Sequence, residues 1–350
     1  SPGLLVDPDR VAENIRQMIE VVGGELRAHR LRPHVKTHKM ADVVRMQLDA
    51  GITHFKAATL AEAEMIASVG AADILLAYQP VGPNVERLVD LVDRFGESSF
   101  AAIVDDMGAV AALAKTLGNR QPPLRLFIDV DCGMHRTGIP LGADMDRLRE
   151  SIEATEVVQF EGLHVYDGHI HDASLEDRRN AATEIIESIR RYDQLSPSPT
   201  IIGGGSPTFA IWAEETSWQC SPGTPVFWDV GYGTDHPELP FSVATGLLTR
   251  VISKPGTDRL CFDLGYKAVA SEMPLDLRVV IPAIPDATFV GHSEEHLVIA
   301  TGTASSVSVG DAFLAFPRHI CPTVALHAFA SVVRDGRATG ERWQVAARDR

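Results

Sequence analysis

The 350-residue chain has no surplus of positive charge, no paired cysteines and no long apolar run, and each shortage removes a class of function. Its formal net charge is -15, so a nucleic-acid partner, whose phosphates call for excess Lys and Arg, is not expected. A small anionic ligand needs only a local positive site and stays open. Cys132, Cys220, Cys261 and Cys321 stand far apart with no CxxC pair, a poor disulfide framework that suits a reducing compartment. No stretch approaches the roughly 20 uncharged apolar residues of a membrane span. No basic-then-apolar signal pattern accompanies the opening Ser1-Pro2-Gly3, and a cytoplasmic location is expected. Repeats of solenoid period and low-complexity tracts are missing too.

What is there is an alternation of strand and helix patterns. Short runs of β-branched and aliphatic residues end at polar or Gly-rich corners and give way to helical periodicity. Strands are predicted at Arg32–Lys36, Thr53–Ala58, Asp73–Tyr78, Phe100–Val104, Leu124–Val130, Phe160–Tyr166, Thr200–Gly203 and Val226–Val230. Helices are predicted at Leu60–Val69, Val85–Phe95, Met107–Leu117, Asp144–Ala154 and Leu175–Tyr192, with a first one near Pro8–Val22. Eight such alternations are the signature of a (β/α)8 TIM-type barrel, although a doubly wound sheet also alternates. After Tyr232 the helical texture fades, and strands are predicted at Ala244–Ile252, Arg259–Asp263, Leu277–Ile284, Glu295–Thr301 and Ala312–Phe316. The expected organisation is α/β: a barrel over residues 8–235 and a C-terminal β-rich domain over 236–350, joined by residues 1–7.

Barrel enzymes place their chemistry where strands end. The first predicted strand ends at Lys36, within Arg32-Pro33-His34-Val35-Lys36-Thr37-His38-Lys39. A lysine among cations is suited to Schiff-base formation, because its neutral amine is the nucleophile; an ordinary solvated lysine is the alternative. The seventh strand runs into Gly203-Gly204-Gly205-Ser206-Pro207-Thr208, where backbone N–H groups and hydroxyls suit a phosphate, or simply a turn. The fifth strand leads to Arg136, a fixed charge fit for an anionic ring oxygen or for a salt bridge. The sixth leads to Tyr166-Asp167-Gly168-His169-Ile170-His171, where a histidine is placed to move protons, bind metal or serve structure. His319-Ile320-Cys321, read as extended, puts imidazole and thiolate on one face as a half-site for zinc, or as a buried pair without metal.

Taken together, Arg32–Lys39, Gly203–Ser206 and His319–Thr323, in that order, resemble the D-threonine aldolase and D-serine dehydratase family of fold-type III enzymes. The lysine motif is the most specific part, and the resemblance runs over nearly the whole chain. It implies an alanine-racemase-like barrel and pyridoxal 5'-phosphate as cofactor. By position, Lys36 would hold the cofactor and remove the Cα proton, while Gly204, Gly205 and Ser206 would take its phosphate. Arg136 would contact the ring oxygen, and Tyr166 and Tyr232 would lie beside the cofactor. His319 and Cys321 would ligate a divalent metal, zinc ahead of manganese or magnesium because of the thiolate. His169 and His171 are the candidate second acid/base.

The implied function is a lyase for β-hydroxy-D-amino acids, acting as an aldolase that releases glycine and an aldehyde. The alternative is a dehydratase giving a keto acid and ammonia, and a racemase is more distant. Cys321 stands where the aldolases have Asp, which leans toward the dehydratases; Tyr166-Asp167-Gly168 leans toward the aldolases. A homodimer with no nucleic-acid or membrane partner is expected.

Overall fold

A computed structural model describes residues 1–192 and 199–349. The chain divides into two compact units, one of Arg16–Lys36 and Val44–Gly223, the other of Ser1–Ile15, Thr37–Val43 and Thr224–Arg348. Along the chain come β1 (Gly3–Val6), α1 (Pro8–Val21), α2 (Ala41–Asp49), β2 (His54–Ala57), α3 (Leu60–Ser68), β3 (Asp73–Leu76) and α4 (Pro83–Arg94). Next are β4 (Ser99–Val104), α5 (Met107–Leu117), β5 (Leu124–Val130), α6 (Ala143–Glu153), β6 (Val158–Val165) and α7 (Leu175–Arg190). β7 (Thr200–Gly203), α8 (Phe209–Glu215) and β8 (Gln219–Cys220) complete the first unit.

β2 to β8 form one parallel sheet in chain order. Its two edges are closed by Leu31–His34: Leu31 bridges Cys220 in β8, and His34 bridges Lys56 in β2. Arg32 N donates to Cys220 O at 2.8 Å and Lys56 N to Pro33 O at 2.9 Å. The first barrel position is therefore filled by an irregular segment, not by the predicted strand Arg32–Lys36. Pro33 has no N–H to give a ladder, and a 3-10 turn, Val35–Thr37, begins at once. Leu75, Ala101, Ile103, Phe127 and Ile202 pack together in the core, and filling a site of this kind stabilises by about 1.5–3 kcal/mol per large side chain. Among the polar groups at the strand starts, Arg32 pairs with Asp73 at 2.5 Å, and Arg125 reaches the same carboxylate at 2.8 Å.

Local signals explain the helices. Thr59 caps α3 through the N–H of Glu62, whose carboxylate returns to the N–H of Ala58 at 2.6 Å. Asp106 and Ser174 cap α5 and α7 in the same way. The eighth strand needs correction. It is the two-residue β8, whereas the predicted Val226–Val230 falls in a 3-10 turn, Thr224–Val226, and the start of α9 (Val230–Asp235). Val226, Phe227 and Trp228 are all buried, and a short apolar run reads alike as strand or as buried turn.

The second unit is built on β9 (Thr245–Ser253), β10 (Arg259–Phe262), β11 (Val279–Val280), β12 (Thr288–His292), β13 (Leu297–Ala300), β14 (Ala312–Pro317), β15 (Phe329–Arg334) and β16 (Arg337–Gln344), with α10 (Ile320–Ala325) between β14 and β15. β1 lies inside this sheet, antiparallel to β9 and parallel to β15. The predicted strand Leu277–Ile284 shrinks to β11, because a 3-10 turn precedes it and Pro282 and Pro285 cannot continue a ladder. No helix among the described residues is long and apolar enough to cross a membrane.

Candidate active site

Lys36 rides on the 3-10 turn just past the irregular first barrel segment, and its N–H donates to His34 Nδ1 at 3.3 Å. It opens into a cavity of about 550 Å³ that is also lined by His34, Tyr78, Asp105, Asp129 and Arg136. The volume is in the range of small-molecule sites. Three basic side chains surround one aromatic ring. Lys36 Nζ, Lys56 Nζ and the Arg136 guanidinium lie 5.5, 5.6 and 5.2 Å from the centroid of Tyr166. Lys36, Arg136 and Tyr166, named from three separate strand ends, are thus brought together.

The Gly-rich loop is set against the same tyrosine. Gly203 and Gly204 are glycines for packing reasons: a Cβ on Gly203 would lie 2.2 Å from the Trp212 ring, and Gly204 has φ +72. Gly205 is held by Asp167, which is buried and accepts from Gly205 N at 2.7 Å, Thr208 Oγ1 at 2.6 Å and Trp212 Nε1 at 2.8 Å. The Gly205 N–H is therefore engaged by protein, and a phosphate at this loop would rely on its neighbours. Asp167 was not singled out from the sequence; a buried acid following a strand-end tyrosine carries no spacing signal of its own.

Beneath Tyr166 runs a buried polar chain. Lys56 Nζ lies 2.5 Å from Ser221 Oγ and 3.4 Å from His164 Nε2. His164 Nδ1 lies 2.7 Å from Asp129 Oδ1, and Thr137 donates to Asp129 Oδ2 at 2.8 Å. Burial, then the charge of Lys36, push Lys56 down to about 7. Burial and the Lys56 charge hold His164 below its ordinary value despite Asp129. Against burial, hydrogen bonds from His164 and Thr137 keep Asp129 below the usual carboxylate range.

The two candidate proton movers stand elsewhere. His171 is exposed, and neither it nor His169 lines the Lys36 cavity. His169 lines a second cavity, of about 470 Å³, with Cys132 and Glu184. Burial pushes the Cys132 thiol up to about 12, so it is no thiolate at neutral pH.

The remaining expected residues belong to the second unit. Tyr232 lies in α9 between Trp228 and His236, with ring centroids 5.4 and 5.5 Å away. His319 and Cys321 are not on an extended segment: His319 is the N-cap of α10 and Cys321 is in its first turn. Cys321 Sγ lies 3.2 Å from Thr37 Oγ1 and 3.5 Å from Thr224 Oγ1. His319 Nδ1 meets Glu272 Oε1 at 2.7 Å. Burial works against the charged imidazole, yet Cys321, Glu272 and Asp229 together push His319 up to about 9. A carboxylate on Nδ1 orients the ring and leaves Nε2 for a metal, so the imidazole and thiol fit a soft divalent ion at two positions. Among the described residues no group of three or more His, Cys, Asp and Glu is disposed to hold a metal.

Comparison with known sequences decides the family. The model of the alanine racemase N-terminal domain matches residues 6–228. The chain belongs to that family. A second model, a putative serine dehydratase domain, matches residues 244–333. A D-threonine aldolase from an Arthrobacter species is 27% identical, with 99% of this chain and 92% of that protein covered. A D-threo-3-hydroxyaspartate dehydratase from a Delftia species is 26% identical, covering 96% and 95%. The crystal structure of a D-threonine aldolase from Filomicrobium marinum has a TM-score of 0.89 at 24% identity, covering 99% and 95%. The alanine-racemase-like barrel with its separate β-rich unit is therefore established. Membership makes this family protein a pyridoxal-phosphate-dependent enzyme, with lyases as its curated relatives.

Proposed function

We propose that this enzyme cleaves the Cα–Cβ bond of β-hydroxy-D-amino acids, releasing glycine and an aldehyde, with pyridoxal phosphate on Lys36 and a divalent metal at His319 and Cys321. One observation carries the reading: Lys36 and Arg136 line a single cavity of about 550 Å³ in a chain similar to a D-threonine aldolase over 99% of its length. A primary amine, a permanent cation and a cavity of this size fit an anionic aldehyde cofactor. When bound, pyridoxal phosphate supplies an electron sink for charge developing at Cα.

The residues then divide the remaining tasks. Lys36 supplies the attaching amine and is the group that holds a proton at Cα. Arg136 fixes an anionic oxygen without risk of deprotonation. Tyr166, beside Gly205, forms a wall of the cradle, and Tyr232 is assigned to the same cofactor. His319 and Cys321 would hold the metal, zinc in preference to manganese or magnesium, and it would supply Lewis acidity toward the β-hydroxyl. His169 and His171 remain the proposed proton carriers, now as groups that must act from outside the Lys36 cavity.

Dehydration is the second reading, favoured by the thiol at Cys321: a metal held by His319 and Cys321 would supply Lewis acidity that can also assist loss of the β-hydroxyl group. The deciding assay supplies pyridoxal phosphate and zinc or manganese to the purified protein, with D-threonine, D-serine and 3-hydroxy-D-aspartate as substrates. Glycine without ammonia, abolished by chelator, is the expected result. Keto acid with equimolar ammonia would replace the aldolase reading by the dehydratase one, and chelator-insensitive racemisation would replace both.

The enzyme is also proposed to work as a homodimer. Tyr78 and Val81 are exposed by 58% and 53% although both line the Lys36 cavity, a surface suited to cover by a second copy. Size-exclusion chromatography with light scattering is expected to give twice the 37.9 kDa chain mass, and a stable monomer would contradict it.

A further inference from the structure

Lys56 is a lysine with almost no water. Its residue is 1% exposed, it lies on a barrel strand, and no family motif or proposed step uses it. An unpaired ammonium in such a place is costly, so its persistence calls for specific partners. It has them in Ser221 Oγ at 2.5 Å and His164 Nε2 at 3.4 Å. On the far side of the imidazole, Nδ1 faces Asp129 at 2.7 Å. A carboxylate on Nδ1 calls for the proton there and leaves Nε2 as a lone pair, which is what an ammonium at Lys56 needs.

We infer that Lys56 is a positioning residue of the cofactor site: hydrogen-bonded through Ser221, it holds His164 as the neutral Nδ1–H tautomer beside Tyr166 and Arg136. His164 lines a small cavity with Arg136 and Tyr166, and Asp129 and Arg136 also line the Lys36 cavity. The significance of this position therefore rests on the reading of Lys36 as the cofactor lysine.

Every charged neighbour has a part. Asp129 and Asp167 favour the ammonium at Lys56, while Lys36 and Arg32 oppose it, with burial opposing it most. Arg136 and Lys56 both oppose a charge on His164. Tyr166 presents its ring to Lys56, and Leu75, the partner of Lys56 on β3, adds no charge. With Asp129 facing Nδ1 and Lys56 Nζ facing Nε2, the geometry favours a proton on Lys56 over a second one on the imidazole. Such an arrangement would keep the positive charge on a buried lysine at the edge of the site and the imidazole beside Arg136 and Tyr166 neutral.

The test reads His164 directly and needs no cofactor. The full chain, labelled with 15N-histidine, is titrated from about pH 5.5 to 8.5 by NMR, with the His164 signals assigned by their loss in His164→Gln. In the unmodified protein His164 is expected to stay neutral and Nδ1-protonated, its Nε2 shift bending near pH 7 as Lys56 titrates. Lys56→Met is expected to give His164 a protonation step of its own at higher pH than in the parent, and Lys56→Arg to suppress that step again. Ser221→Ala keeps the lysine and removes its acceptor, so the bend is expected to move to lower pH; this variant decides the matter if Lys56→Met does not fold. An unchanged His164 titration in folded Lys56→Met, or an unmoved bend in Ser221→Ala, would overturn the inference. Failure of the cofactor reading would show separately, as absence of borohydride-fixed pyridoxyl label on Lys36 while the His164 signals behave as stated.

Discussion

The carboxylate of Asp167 accepts the backbone N–H of Gly205 at 2.7 Å, tying the end of the sixth barrel strand to the glycine loop that follows the seventh. Thr208 and Trp212 donate to the same carboxylate. Asp167→Ala would strand three buried donors at about 1–3 kcal/mol each, so a loss of about 3 kcal/mol or more is expected in urea unfolding. Affinity for pyridoxal phosphate is expected to fall as well. Equal stability of the variant and the parent would show that the loop is held by other means.

His38, two residues past Lys36, is wholly buried, and burial pushes its pKa down to about 3. Its folded value lies below the ordinary 6.5, so its contribution is full above about pH 6.5 and is lost as pH falls from there toward 3. Linkage puts the whole span on the order of 5 kcal/mol. His38→Gln, which still offers an acceptor to Met40 N, is expected to flatten the stability profile over this window. Urea midpoints at pH 7.5 and pH 5 for both proteins check it, and parallel profiles would contradict it.

At the strand starts, Asp73 is shared by Arg32 and Arg125. Asp73→Ala would leave the buried Arg32 guanidinium without its ion-pair partner, at a cost of about 3–5 kcal/mol. The substitution is far in sequence from the proposed machinery, so kcat of the surviving folded fraction is expected to hold while thermal stability drops. A parental melting temperature would refute the assignment.

Glu272 orients His319 through Nδ1 at 2.7 Å. Glu272→Gln is expected to weaken metal binding by about 10–100-fold, as loss of an orienting partner of a ligand histidine does. Metal content after dialysis against a graded chelator measures it. Cys321→Ala is expected to release the metal altogether, and full retention in both variants would place the metal elsewhere.

How much of this was readable in the residues follows from what each signal reports. Strands such as Leu124–Val130 stand out because a parallel barrel buries both faces, giving continuous aliphatic runs bounded by turns. The first and eighth strands do not. Pro33 breaks the ladder pattern in one, and the other is only two residues long, shorter than any window in which periodicity is defined. Lys36, Arg136 and Tyr166 were visible as chemistry at strand ends, since strand ends share one face of a barrel. Lys56, by contrast, sits inside a strand where an aliphatic residue is expected, and its partners Ser221 and His164 are 165 and 108 residues away. Such long-range polar pairing leaves no local trace. The pair His319 and Cys321 is visible as spacing, but its helical backbone is not, because an N-cap is itself extended and only the next residues turn.

The central claim is that Lys36 carries the cofactor. The most direct measurement is reduction of the pyridoxal-phosphate-loaded protein with borohydride, followed by peptide mapping. The expected result is a visible absorption band that reduction abolishes, and one phosphopyridoxyl group on the peptide containing Pro33-His34-Val35-Lys36. Lys36→Ala is predicted to show neither. A label on Lys56, or no label at all, would contradict it.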